Sequence, residues 1–131
     1  MSEGQKRPTV AALLNVQRGR EAIEFYKRAL GAVELFRTES PDGAVVAQLA
    51  IGTCEFWLAD EAPENENFSP AALGGSTVRM VLVADDPDAV FSSAVAAGAH
   101  CVSPMADQGY GWRIGRVVDP FGHHWEIGKP I

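Results

Sequence analysis

The sequence has little cysteine, no long apolar run and no apolar segment after its polar start. Its two cysteines, Cys54 and Cys101, are too few for a disulfide framework or a zinc knuckle, so we expect reduced thiols in the core. No apolar stretch approaches the roughly 20 residues that cross a bilayer, which argues against a membrane protein. The polar segment Met1–Pro8 is followed by no apolar region, and the sequence therefore predicts no ordinary secretory signal.

Positive charge is also scarce. The 11 lysines and arginines are scattered along the chain and are outnumbered by 17 aspartates and glutamates, which gives a net charge of -6. A chain of this charge without a basic stripe is a poor partner for a phosphate backbone. We therefore expect a cytoplasmic domain that acts on a small molecule, with neither a nucleic-acid nor a membrane partner.

A weak internal repeat is the most informative feature that is present. The spacing from Val16 to Gly31 equals the spacing from Val83 to Gly98, and apolar positions match between the two copies. In each copy a short apolar run leads into a helical pattern that stops at a glycine. Duplicated units of this kind indicate a pseudo-symmetric domain.

Hydrophobic periodicity then assigns the elements of each half. Helices are predicted over Arg20–Leu30 and Asp88–Ala97, the second capped by Asp86 with Pro87 at its start. Alternating or short apolar runs between turn residues predict the strands. Each half thus reads β-α-β-β-β, with strands at Val10–Val16, Val33–Thr38, Val45–Ala50 and Cys54–Ala59 in the first half, and at Val81–Val83, His100–Val102, Arg113–Val118 and His123–Ile127 in the second.

Several motifs in this order resemble the vicinal oxygen chelate (VOC) superfamily, which includes glyoxalase I, bleomycin-resistance proteins and extradiol dioxygenases. They are Ala22-Ile23-Glu24-Phe25-Tyr26, Leu30-Gly31, Leu58-Ala59-Asp60-Glu61, Gly98-Ala99 and Asp119-Pro120-Phe121-Gly122-His123 followed by Trp125. The closing motif resembles the PhnB-like branch. The resemblance implies an α+β fold of two pseudo-symmetric βαβββ modules that form an open cup-shaped sheet with the helices outside. One domain would span residues 8–130, with module one at about 8–60, a connector at 61–74 and module two at about 75–130.

The resemblance also allows a test of the family's metal site. Four positions supply His and Glu ligands in metal-dependent members, and here they fall at Ala11, Trp57, either Val78 or Arg79, and Glu126. One carboxylate out of four is not a site for a divalent cation, which needs three or more donors. We therefore expect no metal ligands and no cofactor, and keep a divalent metal as the alternative.

The last strand supplies the candidate catalytic residues. His124 and Glu126 are two apart on a strand and so point to the same face, while Trp125 points to the other. Glu126 either pairs with an arginine such as Arg79, Arg113 or Arg116, or acts as a general base or polar anchor. His124 is either a solvated rim residue or its partner in proton transfer.

Other residues are candidates for ligand binding. Trp57 occupies a former metal-ligand position and would make the floor of the cup apolar, with Arg79 and Gln48 as further inward-facing residues. Tyr110 and Trp112 belong to a glycine-rich loop that could close over a ligand. His123, Phe25 and Tyr26 are expected to be structural.

Two functions from different classes follow. The first is a small-molecule binding protein that holds an apolar or aromatic ligand in the cup without a complete metal site. The second is a metal-assisted lyase, isomerase or dioxygenase that uses Glu126 and His124. By analogy with the family we expect a homodimer whose cups are formed or completed across the interface.

Overall fold

Across residues 7–131, which this computed structural model describes, eight strands and two long helices follow one another in the order that the repeat predicts. The first module consists of β1 (Leu13–Val16), α1 (Gly19–Leu30), β2 (Val33–Glu39), β3 (Val45–Ile51) and β4 (Cys54–Asp60). After a short connector, the second consists of β5 (Arg79–Val83), α3 (Pro87–Ala97), β6 (His100–Asp107), β7 (Trp112–Val118) and β8 (His124–Pro130). The connector contains a 3-10 turn (Pro63–Asn65) and the one-turn helix α2 (Pro70–Leu73).

Each module folds into its own open four-stranded mixed sheet. The strand orders are β1-β4-β3-β2 and β5-β8-β7-β6. In each sheet the first strand runs parallel to the last strand of its module, because the intervening helix carries the chain across, and the remaining pairs are antiparallel. The α+β class and the two βαβββ modules are thus confirmed.

Helix α1 is fixed at both ends by groups that the sequence places there. Its apolar positions at helical spacing are buried, and Gly31 ends it in a left-handed conformation with φ 69°. At the start, the Asp60 carboxylate accepts hydrogen bonds from Gly19 N at 2.8 Å and from Val45 N at 2.7 Å. One side chain at the end of β4 therefore holds the helix N-terminus against β3.

The two modules share a single hydrophobic core, and this decides where the other faces of the sheets point. Phe56 of β4 and Trp125 of β8 lie with ring centroids 5.9 Å apart, and the Tyr26 ring contacts both. The faces that carry Phe56 and Trp125, which we call the helix faces, therefore converge on α1 and α3. Because side chains alternate along a strand, the opposite or open faces of the two sheets point away from each other within one chain.

The turn between β7 and β8 is held by Asp119, which is buried. Its Oδ1 accepts hydrogen bonds from Phe121 N at 2.9 Å and His123 N at 3.0 Å, and its Oδ2 accepts from Trp125 Nε1 at 3.0 Å and from the Tyr26 hydroxyl. The His123 ring is also buried, with Nε2 2.8 Å from the carbonyl oxygen of Asn15. The Asp-Pro-Phe-Gly-His motif is thus a structural turn that joins the modules.

Some expectations from the sequence fail. Cys54 and Cys101 are free but exposed, so they are not core thiols: one lies at the tip of the β3–β4 hairpin and the other on the edge strand β6. Strand β1 begins only at Leu13. The N-terminal segment examined for a secretory signal lies mainly outside the described residues, and within the described ones no helix is long and apolar enough to cross a membrane.

Candidate functional site

The open face of the second sheet brings together four polar residues. Arg79 on β5 is the register partner of His124 on β8, and Arg116 on β7 is the partner of Glu126. Alternation places all four side chains on the face opposite Trp125, which is 3% exposed in the core. The predicted facing of the last strand, with His124 and Glu126 on one side and Trp125 on the other, agrees with this geometry.

Glu126 is paired with two arginines through one oxygen atom. Arg116 Nη2 lies 3.3 Å and Arg79 Nη1 3.7 Å from Oε1 of Glu126. Arg113, the third candidate partner, points to the helix face instead and contacts Asp88 at 2.7 Å and Asp107 at 3.0 Å, two carboxylates that raise its pKa. The predicted pairing of Glu126 with an arginine is therefore present twice, and Arg113 takes no part in it.

His124 has an unusual environment for a polar ring. Among the buried side-chain nitrogen and oxygen atoms of residues 7–131, its Nδ1 is the one without a hydrogen-bond partner. Since buried polar atoms are normally satisfied, this nitrogen is an exception in the described part of the chain, and because it is buried a ligand could reach it only if the ring or its neighbours moved.

The residues at the family's metal positions do not fit a metal ion. Within the described part of the chain, no group of three or more His, Cys, Asp or Glu side chains is placed to hold one. Of the two residues considered for one of these positions, Arg79 lies on the open face of β5 by strand parity, and Val78 precedes the strand. Glu126, the one retained carboxylate, already faces two guanidinium groups, whose positive charge opposes a cation there.

The open face of the first sheet carries aromatic and aliphatic side chains together with the polar pair Gln48 and Glu55. Trp57 on β4 is the register partner of both Leu13 and Gln48, and the Phe36 ring on β2 contacts it edge-on at a centroid distance of 6.3 Å. Gln48 Nε2 donates to Glu55 Oε1 at 2.6 Å. Phe36, 47% exposed, was missed by the sequence reasoning; the signal available was its place in a strand next to the Gln48 strand.

The aromatic loop lies at the far end of the second sheet. Trp112 begins β7 on the open face, half-buried, with Pro130 as its register partner. Tyr110 lies in the tight turn before it and is 69% exposed. About four residues of extended strand separate Trp112 from Arg116, roughly 13 Å. Both residues border the open face but lie away from its charged centre.

The predicted site residues therefore form two groups in one chain. Gln48 and Trp57 lie on the first open face, and Arg79, His124 and Glu126 on the second. Among residues 7–131 no hydrogen bond or ion pair joins the two groups. Because the two faces diverge from the shared core, the two groups do not face each other within one chain.

A groove of about 560 Å³ borders the first open face. Leu13 and Asn15 of β1 form one side, and the connector forms the other with Phe68, Leu73 and the segment 74–77. Within the connector, the backbone N–H and the hydroxyl of Ser69 donate to the Glu61 carboxylate. Leu13, the register partner of Trp57, connects the groove to this face.

This fold, with open sheets whose site faces are separate from the core, is that of the VOC proteins. Residues 9–127 match the model of the Glyoxalase/Bleomycin resistance protein/Dioxygenase superfamily, and the chain belongs to this superfamily. Membership supports a small-molecule-binding or metalloenzyme type of function.

Several relatives cover nearly the whole chain. An uncharacterised protein of Mycobacterium tuberculosis, Rv0887c, is 41% identical over 128 residues, which are 95% of this chain and 75% of that protein. The solved structure of the Arabidopsis thaliana At5g48480 product is 30% identical with a TM-score of 0.69, and the match covers 93% and 97% of the two chains. The crystal structure of TioX from Micromonospora sp. ML1 is 25% identical with a TM-score of 0.71, over 94% and 100%.

Proposed function

We propose that the protein is a small-molecule binding protein of the glyoxalase/bleomycin-resistance type, which holds an apolar or aromatic ligand in its cup without a bound metal. The observation that carries this proposal is the double pairing of Glu126 with Arg79 and Arg116. Among the four positions that supply metal ligands in the family, only Glu126 is a carboxylate here, and its charge is already paired with these two arginines. The proposal also includes membership of the PhnB-like branch and a cytoplasmic location.

The cup is built by two chains. The first open face supplies an aromatic wall with Phe36 and Trp57, and the second supplies a charged floor with Arg79, Arg116 and Glu126. Exposed apolar side chains extend both walls: Leu13 is 52%, Val81 62% and Val83 56% exposed in one chain. Large exposed apolar patches mark binding surfaces. A homodimer that sets the first face of one chain against the second face of its partner covers both.

The alternative, a metal-assisted lyase, isomerase or dioxygenase that uses Glu126 and His124, has one supporting observation. The unpartnered Nδ1 of His124 lies on the same face as Glu126, which suits a proton-transfer pair. The donor set provides no third ligand for a cation, so this pair can act on a bound molecule only as a base or a hydrogen-bonding group.

Metal analysis and ligand titration on one preparation test the proposal. Protein purified without a histidine tag should contain well under one divalent metal ion per chain by elemental mass spectrometry. The same protein should bind the neutral aromatic naphthamide in a calorimetric titration. One tightly held ion per chain that is lost in Glu126→Gln would favour the metalloenzyme. Metal-free protein that binds no aromatic compound would contradict both.

A further inference from the structure

We propose that the ligand carries one negatively charged oxyanion group, such as a carboxylate, which binds between Arg79 and Arg116 on the open face of the second sheet. This inference rests on the proposed function, because the remainder of the ligand is taken to lie in the apolar cup. It adds the charge class of the ligand and the residues that select it.

The two guanidinium groups have N–H donors that Glu126 does not engage. Each carries five N–H donors, yet both approach the same oxygen of Glu126. The Arg116 contact at 3.3 Å is a hydrogen bond, whereas the Arg79 contact at 3.7 Å is an ion pair beyond hydrogen-bond length. Neither is the two-pronged arrangement that arginine makes with a carboxylate when it is fully engaged. Most of the donors on this face are therefore available to a second anion.

The local charge is positive although the chain as a whole is acidic. Arg79, Arg116 and Glu126 together carry one net positive charge on a chain of net charge -6. The only other carboxylate on the strands of this sheet is Asp107, which is bound by Arg113 at 3.0 Å on the helix face. Glu126 thus leaves one positive charge on this open face, and on the first open face the Glu55 carboxylate accepts a hydrogen bond from Gln48 at 2.6 Å.

The surroundings suit an anion that is attached to an apolar body. Val81 and Val83 on β5 and Ile114 and Val118 on β7 share the open face with the arginines by strand parity. His124 lies beside Arg79 in the register, on the same face of the sheet. An inorganic ion would leave the apolar part of this face uncovered, whereas an aromatic carboxylate covers both parts.

Substitutions at the cluster should change affinity in opposite directions. Arg79→Gln and Arg116→Gln each remove a positive charge and should weaken binding of naphthoate by about tenfold or more. Glu126→Gln removes the competing carboxylate and should strengthen naphthoate binding several-fold. A metal-binding role for Glu126 requires the reverse, a loss of ligand binding.

The test compares naphthoate with naphthamide, which has the same rings but no charge, by titration calorimetry. We expect naphthoate to bind about tenfold more tightly to the wild type, with the arginine substitutions acting on naphthoate alone. Arg20→Gln is the matched control, since Arg20 pairs with Glu39 at 3.1 Å in module one. Circular dichroism and the melting temperature establish that each variant is folded.

The possible results distinguish a failure of the charge assignment from a failure of the proposed function. Equal binding of the two compounds, unaffected by the arginine substitutions, would overturn the charge assignment and leave the proposed function intact. Failure of both compounds to bind would contradict the proposed function itself, and the charge assignment with it. Weaker naphthoate binding in Glu126→Gln would also overturn the inference, because it would make Glu126 a ligand-binding or metal-binding group.

Discussion

The hydroxyl of Tyr26 on α1 donates a hydrogen bond to Oδ2 of Asp119 in the turn between β7 and β8. Tyr26 belongs to module one and Asp119 to module two, and both are buried. Trp125 Nε1 donates to the same oxygen at 3.0 Å. The contact between the modules is therefore polar as well as apolar, and it fixes one module against the other at a defined point.

Tyr26→Phe should lower the free energy of unfolding by about 1–3 kcal/mol at neutral pH, since it removes a hydrogen bond to a buried carboxylate. Burial first, and then the charge of Asp119, hold the pKa of Tyr26 well above its ordinary value. The unfolded chain ionises this phenol above about pH 10, so the wild type should lose the contribution of Tyr26 as the pH rises through that range.

Urea denaturation between pH 7 and 11 measures this difference. The gap in stability between the wild type and Tyr26→Phe should narrow above about pH 10. Tyr110→Phe is the control, because Tyr110 is 69% exposed, and it should match the wild type throughout. A gap that widened with pH would show that the sign of the Tyr26 shift is wrong.

Trp57→Phe should affect ligand affinity, whereas Trp125→Phe should affect the stability of the protein. Trp57 lies on an open face, so its replacement should weaken aromatic ligand binding by about 1 kcal/mol and leave stability nearly unchanged. Trp125 packs on Tyr26 and Phe56 and donates to Asp119. Its replacement should lower stability by about 2–3 kcal/mol and spare affinity. Calorimetric titration and urea denaturation measure the two effects, and the opposite pattern would mean that the sheet faces are reversed.

Sedimentation at micromolar concentration should give a mass of about twice 14.0 kDa. The shared cup is tested by a heterodimer of Trp57→Glu and Ile114→Glu chains, purified through two different tags. Each homodimer has a damaged wall in both cups and should bind no ligand. The heterodimer regains one cup from two intact walls and should bind one ligand per dimer. A heterodimer without binding would place both walls in one chain.

Gly19→Ala should destabilise the protein by about 1–3 kcal/mol, because the added methyl group has no room between the Asp60 and Val45 side chains. A Cβ atom at this position would lie 2.7 Å from Asp60 Oδ2 and still closer to the Val45 side chain. The contact holds the start of α1 to β3. Gly109→Ala is the matched control, as nothing lies within 4 Å of a Cβ there. Equal urea midpoints for the two variants would show that the Gly19 contact relaxes freely.

The sequence predicted individual elements well because periodicity is a local property. Helix α1 ends at Leu30 and α3 at Ala97 as expected, and the facing of β8 agrees with the prediction. Strand β6 extends to Asp107, well past the predicted Val102, because irregular register lets it continue through Pro104. The short helices of the connector were missed, although α2 has local signals: Ser69 caps it, Pro70 begins it and Gly74 ends it in a left-handed conformation.

The site could be predicted only in part. Alternation placed His124 and Glu126 on one face of the last strand, and the resemblance to the family placed Trp57 in the cup. Of the three arginines considered as partners of Glu126, Arg79 and Arg116 pair with it. Which arginines reach it depends on strand pairing between β5, β7 and β8. The divergence of the two open faces depends on the contact between Phe56 and Trp125, which no local pattern encodes. Phe36 was missed for the same reason: its neighbour Trp57 lies on another strand.

On each strand, the residues that stabilise the fold lie on one face, and the residues available for ligand recognition lie on the other. Along β4, Phe56 and Leu58 pack in the core, while Glu55, Trp57 and Ala59 lie on the open face that we propose for ligand binding. Along β8, Trp125 and Ile127 alternate with His124 and Glu126 in the same way. Changes in ligand preference can therefore accumulate at every second position with little effect on stability. A scaffold of this kind can acquire new ligands through stepwise substitution without an intermediate that fails to fold.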